Sequence, residues 1–264
     1  MFKSPGHIAF SIASIDIHYY GIIMALSILI GLFVILLLRK KYFKEISVDS
    51  ICDISFLAII IGIICARLYY VILDYKYFMA NPFEIPAIWN GGISIHGAIL
   101  GGILAVYCYT KDNKLNFLRY ADLFSFGLII GQAIGRWGNF FNSEAFGLPC
   151  SLPWKLYIPY TLRPIEYRAY EYFHPAFLYE SILNIIIFII LYLFLARSKN
   201  RKDGFIFFLY MLLYSIARLL TETIRIDSVL SINNIHAAHI AALFFLVISI
   251  IGLFTINNKK SNIV

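Results

Sequence analysis

The chain reads as an all-α, polytopic integral membrane protein, and three observations lead there. Of its 264 residues, 61% are hydrophobic and only 14% are charged, a balance outside that of soluble globular domains. The apolar residues gather into seven continuous runs, at about 20–38, 54–73, 91–109, 121–141, 175–196, 204–222 and 236–256. Each is close to the ~20 residues with which a helix crosses ~30 Å of hydrocarbon. Membrane-spanning strands would alternate apolar and polar residues, so continuous runs favour a bundle of seven helices over a barrel.

The connections sort by charge. Arg39, Lys40, Lys41 and Lys44 follow the first run, Lys111, Lys114 and Arg119 the third, and Arg197, Lys199, Arg201 and Lys202 the fifth; Lys259 and Lys260 close the chain. The alternate connections are longer, yet hold only Lys3, Lys76, Lys155, Arg163, Arg168 and Arg225. By the positive-inside rule the first set is cytoplasmic, which puts the N-terminus outside and the C-terminus inside. The formal net charge of +7 then serves orientation and contact with anionic membrane lipids, and nucleic acid is not an expected partner. The first 19 residues lack the basic start, short apolar core and small-residue cleavage site of a secretory signal.

Cys52, Cys65, Cys108 and Cys150 show neither CxxC pairing nor metal-ligand spacing. They are expected to pack as small buried apolar residues, without a disulfide framework. No internal repeat, low-complexity tract or large hydrophilic insertion interrupts the chain, so residues 1–264 are read as a single membrane domain. Its two long exterior connections are about 74–90 and 142–174. The shorter holds Tyr75, Tyr77, Phe78, Phe83 and Trp89 and is expected to lie along the membrane surface. The longer carries Pro149, Pro153, Pro159 and Pro164 with Trp154 and many tyrosines, suited to the head-group level. Its length is that of a lid or substrate arm.

Topology assigns each polar residue a depth. Tyr20 opens the first helix from outside; Arg67 is near the outer end of the second; His96 lies in the outer part of the third. Arg136, Asn139, Asn142 and Glu144 end the fourth, within GRWGNFFNSEAFG at 135–147. His174, Tyr179 and Glu180 begin the fifth, Tyr214, Arg218 and Glu222 close the sixth, and His236 and His239 start the seventh. Apart from Asp122 at an inner edge, every ionisable group in these spans belongs to the outer half. An arginine at a helix centre costs ~2.5–3.5 kcal/mol on insertion scales, and less near the interface.

Tyr214, Arg218 and Glu222 stand at i, i+4 and i+8, one polar stripe in which Glu222 can pair with Arg218 and Arg225 follows on nearly the same face. Arg136 and Asn139 are helix neighbours, and a guanidinium fork beside an asparagine amide suits a phosphate. Glu144 could neutralise or orient Arg136, and Glu180 is a possible ion-pair partner deeper in. Gly135, Gly138 and Gly147 allow close approach and help the chain leave the helix. Two readings stand for His96, in GGISIHGAILGG: a hydrogen-bonded core residue, or a proton acceptor facing the arginines' cavity. Arg67, amid ARLYY, reads as snorkelling or structural. His236 and His239 at i, i+3 lack a third metal ligand and read as interface residues. The pattern as a whole implies an outward-facing cavity for an anionic lipid head group.

GRWGNFFNSEAFG closely resembles the signature of the bacterial prolipoprotein diacylglyceryl transferases. YYG at 19–21, ARLYYV at 66–71, GGISIHG at 91–97, AD at 121–122, HPAFLYE at 174–180 and YSIARLLTETIR at 214–225 agree in order and spacing. The resemblance spans nearly the whole chain. It implies transfer of the sn-1,2-diacylglyceryl group of phosphatidylglycerol to the lipobox cysteine thiol of a prolipoprotein signal peptide. A thioether forms, glycerol 1-phosphate leaves, and no cofactor is implied. This is the first step of bacterial lipoprotein maturation, at the outer leaflet of the cytoplasmic (inner) membrane.

By the same resemblance the important positions are Tyr20, His96, Arg136, Asn139, Glu144, Gly147, Glu180, Tyr214, Arg218 and Glu222. Arg136 and Arg218 are expected to hold the phosphate, with His96 the candidate base; alternatively, the arginines lower the thiol pKa directly. Three departures from the family pattern stand out: Ala98 for a glycine, Phe173 where an arginine often precedes the HP pair, and IDSVL at 226–230. An anion transporter would carry polar groups to the inner half, often with inverted repeats or broken helices. A phosphatidyl-alcohol transferase would need metal-binding aspartates, of which Asp122 alone lies at a span edge.

Overall fold

Eight α-helices are present among the described residues: α1 (Tyr19–Tyr42), α2 (Val48–Leu73), α3 (Tyr75–Ala80), α4 (Ile95–Asp112), α5 (Phe117–Asn142), α6 (Ala176–Arg197), α7 (Phe205–Glu222) and α8 (Ala237–Asn258). The structure, a computed structural model, describes residues 1–12, 15–88, 91–198, 202–226, 231–232 and 235–258. Trp89, Lys199, Arg201, Lys259, Lys260 and residues 227–230 of the IDSVL segment lie outside them, as do the side chains of His96 and His236. Six helices, α1, α2, α5, α6, α7 and α8, are long and apolar enough to cross a membrane. Their outward side chains, among them Leu29, Phe33, Phe56, Ile64, Leu128 and Phe244, are exposed, as a hydrocarbon solvent allows.

The third expected span corresponds to α4. It begins at Ile95 rather than at residue 91 because Gly91 and Gly92 take φ of 82° and 73°, values that belong to turns. His96 at one end and Lys111 and Asp112 at the other make α4 polar at both ends, and it is not among the six. The cysteines are all free, but the expectation of burial fails: Cys52 and Cys108 are exposed, and Cys65 and Cys150 are half-buried. On a helix facing lipid, a small thiol has no reason to seek the protein interior.

The chain divides into two compact units, Met1–Leu38 with Asp122–Val264, and Arg39–Ala121. In the second unit α2 and α4 pack closely. A Cβ on Gly101 would sit 2.7 Å from the Ile61 carbonyl oxygen, and one on Gly97 would meet the Cys65 carbonyl and Ala66, so small residues set the helix separation. Arg67 is 6% exposed. Its Nε donates to the Ile85 carbonyl (2.8 Å), Nη1 to those of Gly91 (2.6 Å) and Gly92 (2.8 Å), and Nη2 to that of Glu84 (2.5 Å). Its guanidinium also lies 5.0 Å from the Phe78 ring centre. The arginine holds the connection after α3 in place, which bears out the structural reading. Phe78, in α3, is buried, whereas Phe83 in the connection after it is 94% exposed.

In the first unit α1 and α5 approach through Gly31 and Gly127; a Cβ on Gly31 would lie 2.8 Å from the Gly127 carbonyl oxygen. Asp122, fully buried, accepts from the backbone N–H groups of Gly204 and Phe207, both at 2.8 Å. It caps the free N–H groups at the start of α7 from another helix, so its carboxylate is committed to structure.

The long connection after α5 builds a small core of its own. β1 (Phe2–Lys3) pairs in parallel with β4 (Leu156–Tyr157), which pairs antiparallel with β5 (Tyr172–Phe173). Leu156, Ile158, Phe173 and Phe177 are fully buried there with Phe146. Phe173, one of the departures noted in the sequence, is thus a core residue. Arg163 ties the connection together, its Nε donating to the Ile158 carbonyl (2.8 Å) and Nη1 to that of Arg168 (3.1 Å). Two hairpins feed the helices that follow them: β2 (Ile8–Ile12) with β3 (Ile15–His18) before α1, and β6 (Ser231–Ile232) with β7 (Ile235–His236) before α8.

Candidate active site

Three helix ends of the first unit converge on one carboxylate. Pro175 stands at the N-cap of α6, where its missing N–H costs nothing. On the buried face of that helix Ala176, Phe177, Glu180, Ser181, Asn184, Ile187, Leu191 and Leu195 recur at helical spacing. Glu180 therefore points inward, and its side chain is 6% exposed. A carboxylate so buried requires cationic partners.

It has three. Arg136 of α5 reaches Glu180 Oε2 with Nη2 at 2.5 Å; Arg218 of α7 reaches Oε1 with Nη1 at 2.7 Å; Arg225, just past α7, reaches Oε1 at 3.3 Å. Arg218 also binds Glu222, fully buried, at 2.7 Å through Nη2. The i, i+4 pair expected from the sequence is present, and Glu180 proves to be the hub. These three guanidinium and two carboxylate groups carry one net positive charge. The Arg136 side chain is 21% exposed, and its Nε and Nη1 make no hydrogen bond among the described residues.

Glu144 does not pair with Arg136. It accepts from Asn139 Nδ2 (3.3 Å) and Asn142 Nδ2 (3.2 Å), while its N–H donates to the Asn139 carbonyl (2.9 Å). The turn that places it uses Ser143 (φ 57°) and Ala145 (φ 54°) rather than the glycines credited from the sequence. Hydrogen bonding compensates those left-handed residues: the Ala145 carbonyl accepts from the Phe177 N–H at 2.8 Å, and the Glu144 bonds close the loop. Asn139 and Glu144 thus form one unit with Asn142, and the arginines another.

The glycines have steric duties. A Cβ on Gly138 would stand 2.7 Å from the Tyr20 ring, and one on Gly147 2.7 Å from the Ile224 carbonyl oxygen. Tyr20 is thereby brought against α5, within electrostatic reach of Glu144 and Arg136. The Gly147 N–H donates to the His174 carbonyl, and the Leu148 N–H to that of Ile224, both at 2.9 Å. These bonds stitch the segment after α5 to the start of α6 and the end of α7. Gly135 meets only Met24, at an ordinary 3.6 Å.

Tyr214 faces a small cavity shared with Glu180, Leu183, Asn184, Ala217, Arg218 and Thr221. Beside the cluster, His174 Nδ1 is 3.1 Å from the Tyr179 hydroxyl, which accepts from Trp154 Nε1 at 3.0 Å. The structure thus joins Arg136, Glu180, Arg218 and Glu222 directly, with Tyr214 on the cavity that Glu180 and Arg218 also line. His96 belongs to the other unit and its side chain lies outside the described residues; His239 is half-buried in the first turn of α8. Arg225, set on the face of Arg218 by sequence reasoning without a partner, reaches Glu180 through the turn after α7. One contributor was missed. Asn184, one of few polar residues in the apolar run of α6 and four past Glu180, carried a readable signal that went unread.

Arginine donors mounted on buried carboxylates suit an anion with a planar or tetrahedral arrangement of oxygens. Residues 7–255 match the family model described as prolipoprotein diacylglyceryl transferase. Among curated proteins, the phosphatidylglycerol–prolipoprotein diacylglyceryl transferase of Acaryochloris marina is 44% identical, over 96% of this chain and 91% of its own length. Those of Trichormus variabilis, at 43% over 98% and 93%, and Gloeobacter violaceus, at 40% over 98% and 96%, are similar to the same extent. From matches of this length and identity, with the arginine–glutamate cluster in the quoted motifs, the chain belongs to the prolipoprotein diacylglyceryl transferase family.

Proposed function

We propose that this chain moves the sn-1,2-diacylglyceryl group of phosphatidylglycerol onto the lipobox cysteine of a prolipoprotein, the first step of lipoprotein maturation. The observation that carries this reading is the net positive cluster on Glu180, with donors on the partly exposed Arg136 that no described residue takes. In the reaction the cysteine sulfur attacks the glyceryl carbon that bears the phosphate. The C–S bond forms as the C–O bond breaks, the electron pair leaves with glycerol 1-phosphate, and the thiol proton passes to a base. A phosphodiester carries one negative charge and the departing monoester two when the attacking sulfur is a thiolate. Arginine donors fixed in advance therefore act more strongly on the transition state than on the bound lipid.

In this proposal Arg136 and Arg218 hold the phosphate, and Glu180 and Glu222 fix the two guanidinium planes. Tyr20, Asn139, Tyr214 and Glu144 position the head group, while Gly147 keeps the loop after α5 closed against Ile224. His96 is the proposed base on the strength of GGISIHG alone. The whole chain serves as one transferase domain, with α4 completing seven crossings, the N-terminus outside and the site toward the outer leaflet of the cytoplasmic membrane. The distribution of Lys and Arg among the connections supports that orientation.

The test is direct. Purified protein incubated with phosphatidylglycerol and a lipobox peptide is expected to add a diacylglyceryl mass to the cysteine and to release glycerol phosphate. No mass gain with wild type, or full activity in both Arg136→Ala and Arg218→Ala, would overturn the assignment.

A further inference from the structure

Asn184 lies one turn below Glu180 on the buried face of α6 and is 2% exposed. Its Nδ2 is buried and has no hydrogen-bond partner among the described residues. An amide donor in that state calls for an acceptor. The cavity it shares with Glu180, Tyr214, Arg218 and Thr221 offers about 10 Å³ to water-sized spheres, room for a single water and far too little for a lipid head group. Asn184, Glu180 and Tyr214 are among its lining residues, and an amide, a carboxylate and a hydroxyl are the kinds of group from which a buried water draws its two to four partners.

We propose that Asn184 is a positioning residue whose amide holds one buried water, and that this water hydrogen-bonds the Glu180 carboxylate on which Arg136 and Arg218 are mounted. Asn184 never meets the lipid. It stiffens the hub, so that both guanidinium groups face the phosphate in one geometry; this rests on the transfer reaction proposed above. Helix geometry fits, since residues four apart are neighbours on one face. A misplacement of about 1 Å in such a site costs rate rather than substrate binding.

Three variants and one structure decide it. Asn184→Leu, of similar size, is expected to keep a melting temperature near that of wild type, because an amide and its water are exchanged for an apolar group of like shape. Its turnover at saturating phosphatidylglycerol falls about 10- to 100-fold with KM nearly unchanged. Asn184→Ser keeps a hydrogen-bonding group and leaves space for a second water, and returns to within about threefold of wild type. Asn184→Ala, without that group, does not recover. Wild-type turnover in Asn184→Leu, a loss matched by an equal loss of folded protein, or equal behaviour of the Ser and Ala variants overturns the proposal. A water-resolving structure of the wild-type protein is expected to show one peak within hydrogen-bond distance of Asn184 Nδ2 and the Glu180 carboxylate; a dry cavity refutes it. Should wild type transfer nothing, the proposed reaction falls, and the peak still decides the water site.

Discussion

Arg67 and Arg218 are both arginines near the end of an apolar helix, yet they are satisfied in opposite ways. Arg67 gives its donors to four backbone carbonyls and stacks on Phe78. Carbonyls are neutral and already anchored, so the guanidinium is consumed as a clamp. Arg218 gives its two terminal nitrogens to Glu180 and Glu222, and the same Glu180 is shared with Arg136 and Arg225. Carboxylates hold the arginines and leave this group of five one positive charge in excess. Partner type, more than depth in the membrane, distinguishes the two arginines.

Three substitutions test this contrast. Arg218→Ala should have the largest effect, a loss of about 10³ in transfer rate, or about 4 kcal/mol in the barrier. It also leaves Glu222 buried beside a missing partner, so the melting temperature falls with it. If turnover per folded molecule stays at the wild-type level, Arg218 is a clamp like Arg67 and the contrast fails. Arg67→Ala should cost stability of about 3 kcal/mol, since four hydrogen bonds to a charged donor vanish together. Transfer per folded molecule should remain near wild type; an activity loss at unchanged melting temperature would place Arg67 among the ligand-facing arginines. The smallest effect is expected for Asp122→Asn, about 1–2 kcal/mol, because one of two cap acceptors becomes a donor facing an N–H. Thermal unfolding in the same detergent measures it, and a rate change without a stability change would contradict the capping role.

Much of the site was legible because its residues lie in local patterns. The stripe Tyr214, Arg218 and Glu222 needs only helix geometry, and the pairing of Arg218 with Glu222 follows from i, i+4 spacing. Glu144 was misread for the opposite reason. Sequence proximity set it beside Arg136, whereas the left-handed turn at Ser143 and Ala145 carries it onto the asparagine amides. Asp122 stood out as an acidic residue at a span edge and in the AD pair, but neither reading gave it a partner; Gly204 and Phe207 are some eighty residues away. The exposed Cys52 and Cys108 show a related limit. Hydrophobicity does not distinguish a helix face that meets protein from one that meets lipid, as both are apolar.

The class of the molecule and the inventory of its chemistry follow from the amino-acid sequence. Continuous apolar runs admit helices, and the excess of basic residues in alternate connections supports one orientation. It also named arginines and carboxylates expensive enough in a membrane to need a purpose. Which of them meet depends on how the helices pack. Glu180, Arg136, Arg218 and Arg225 come from three separate segments, and no local periodicity relates positions so far apart. What brings them together is helix packing through small residues, the stitching of residues 145–148 to α6 and the end of α7, and the high cost of a buried carboxylate left without a cation.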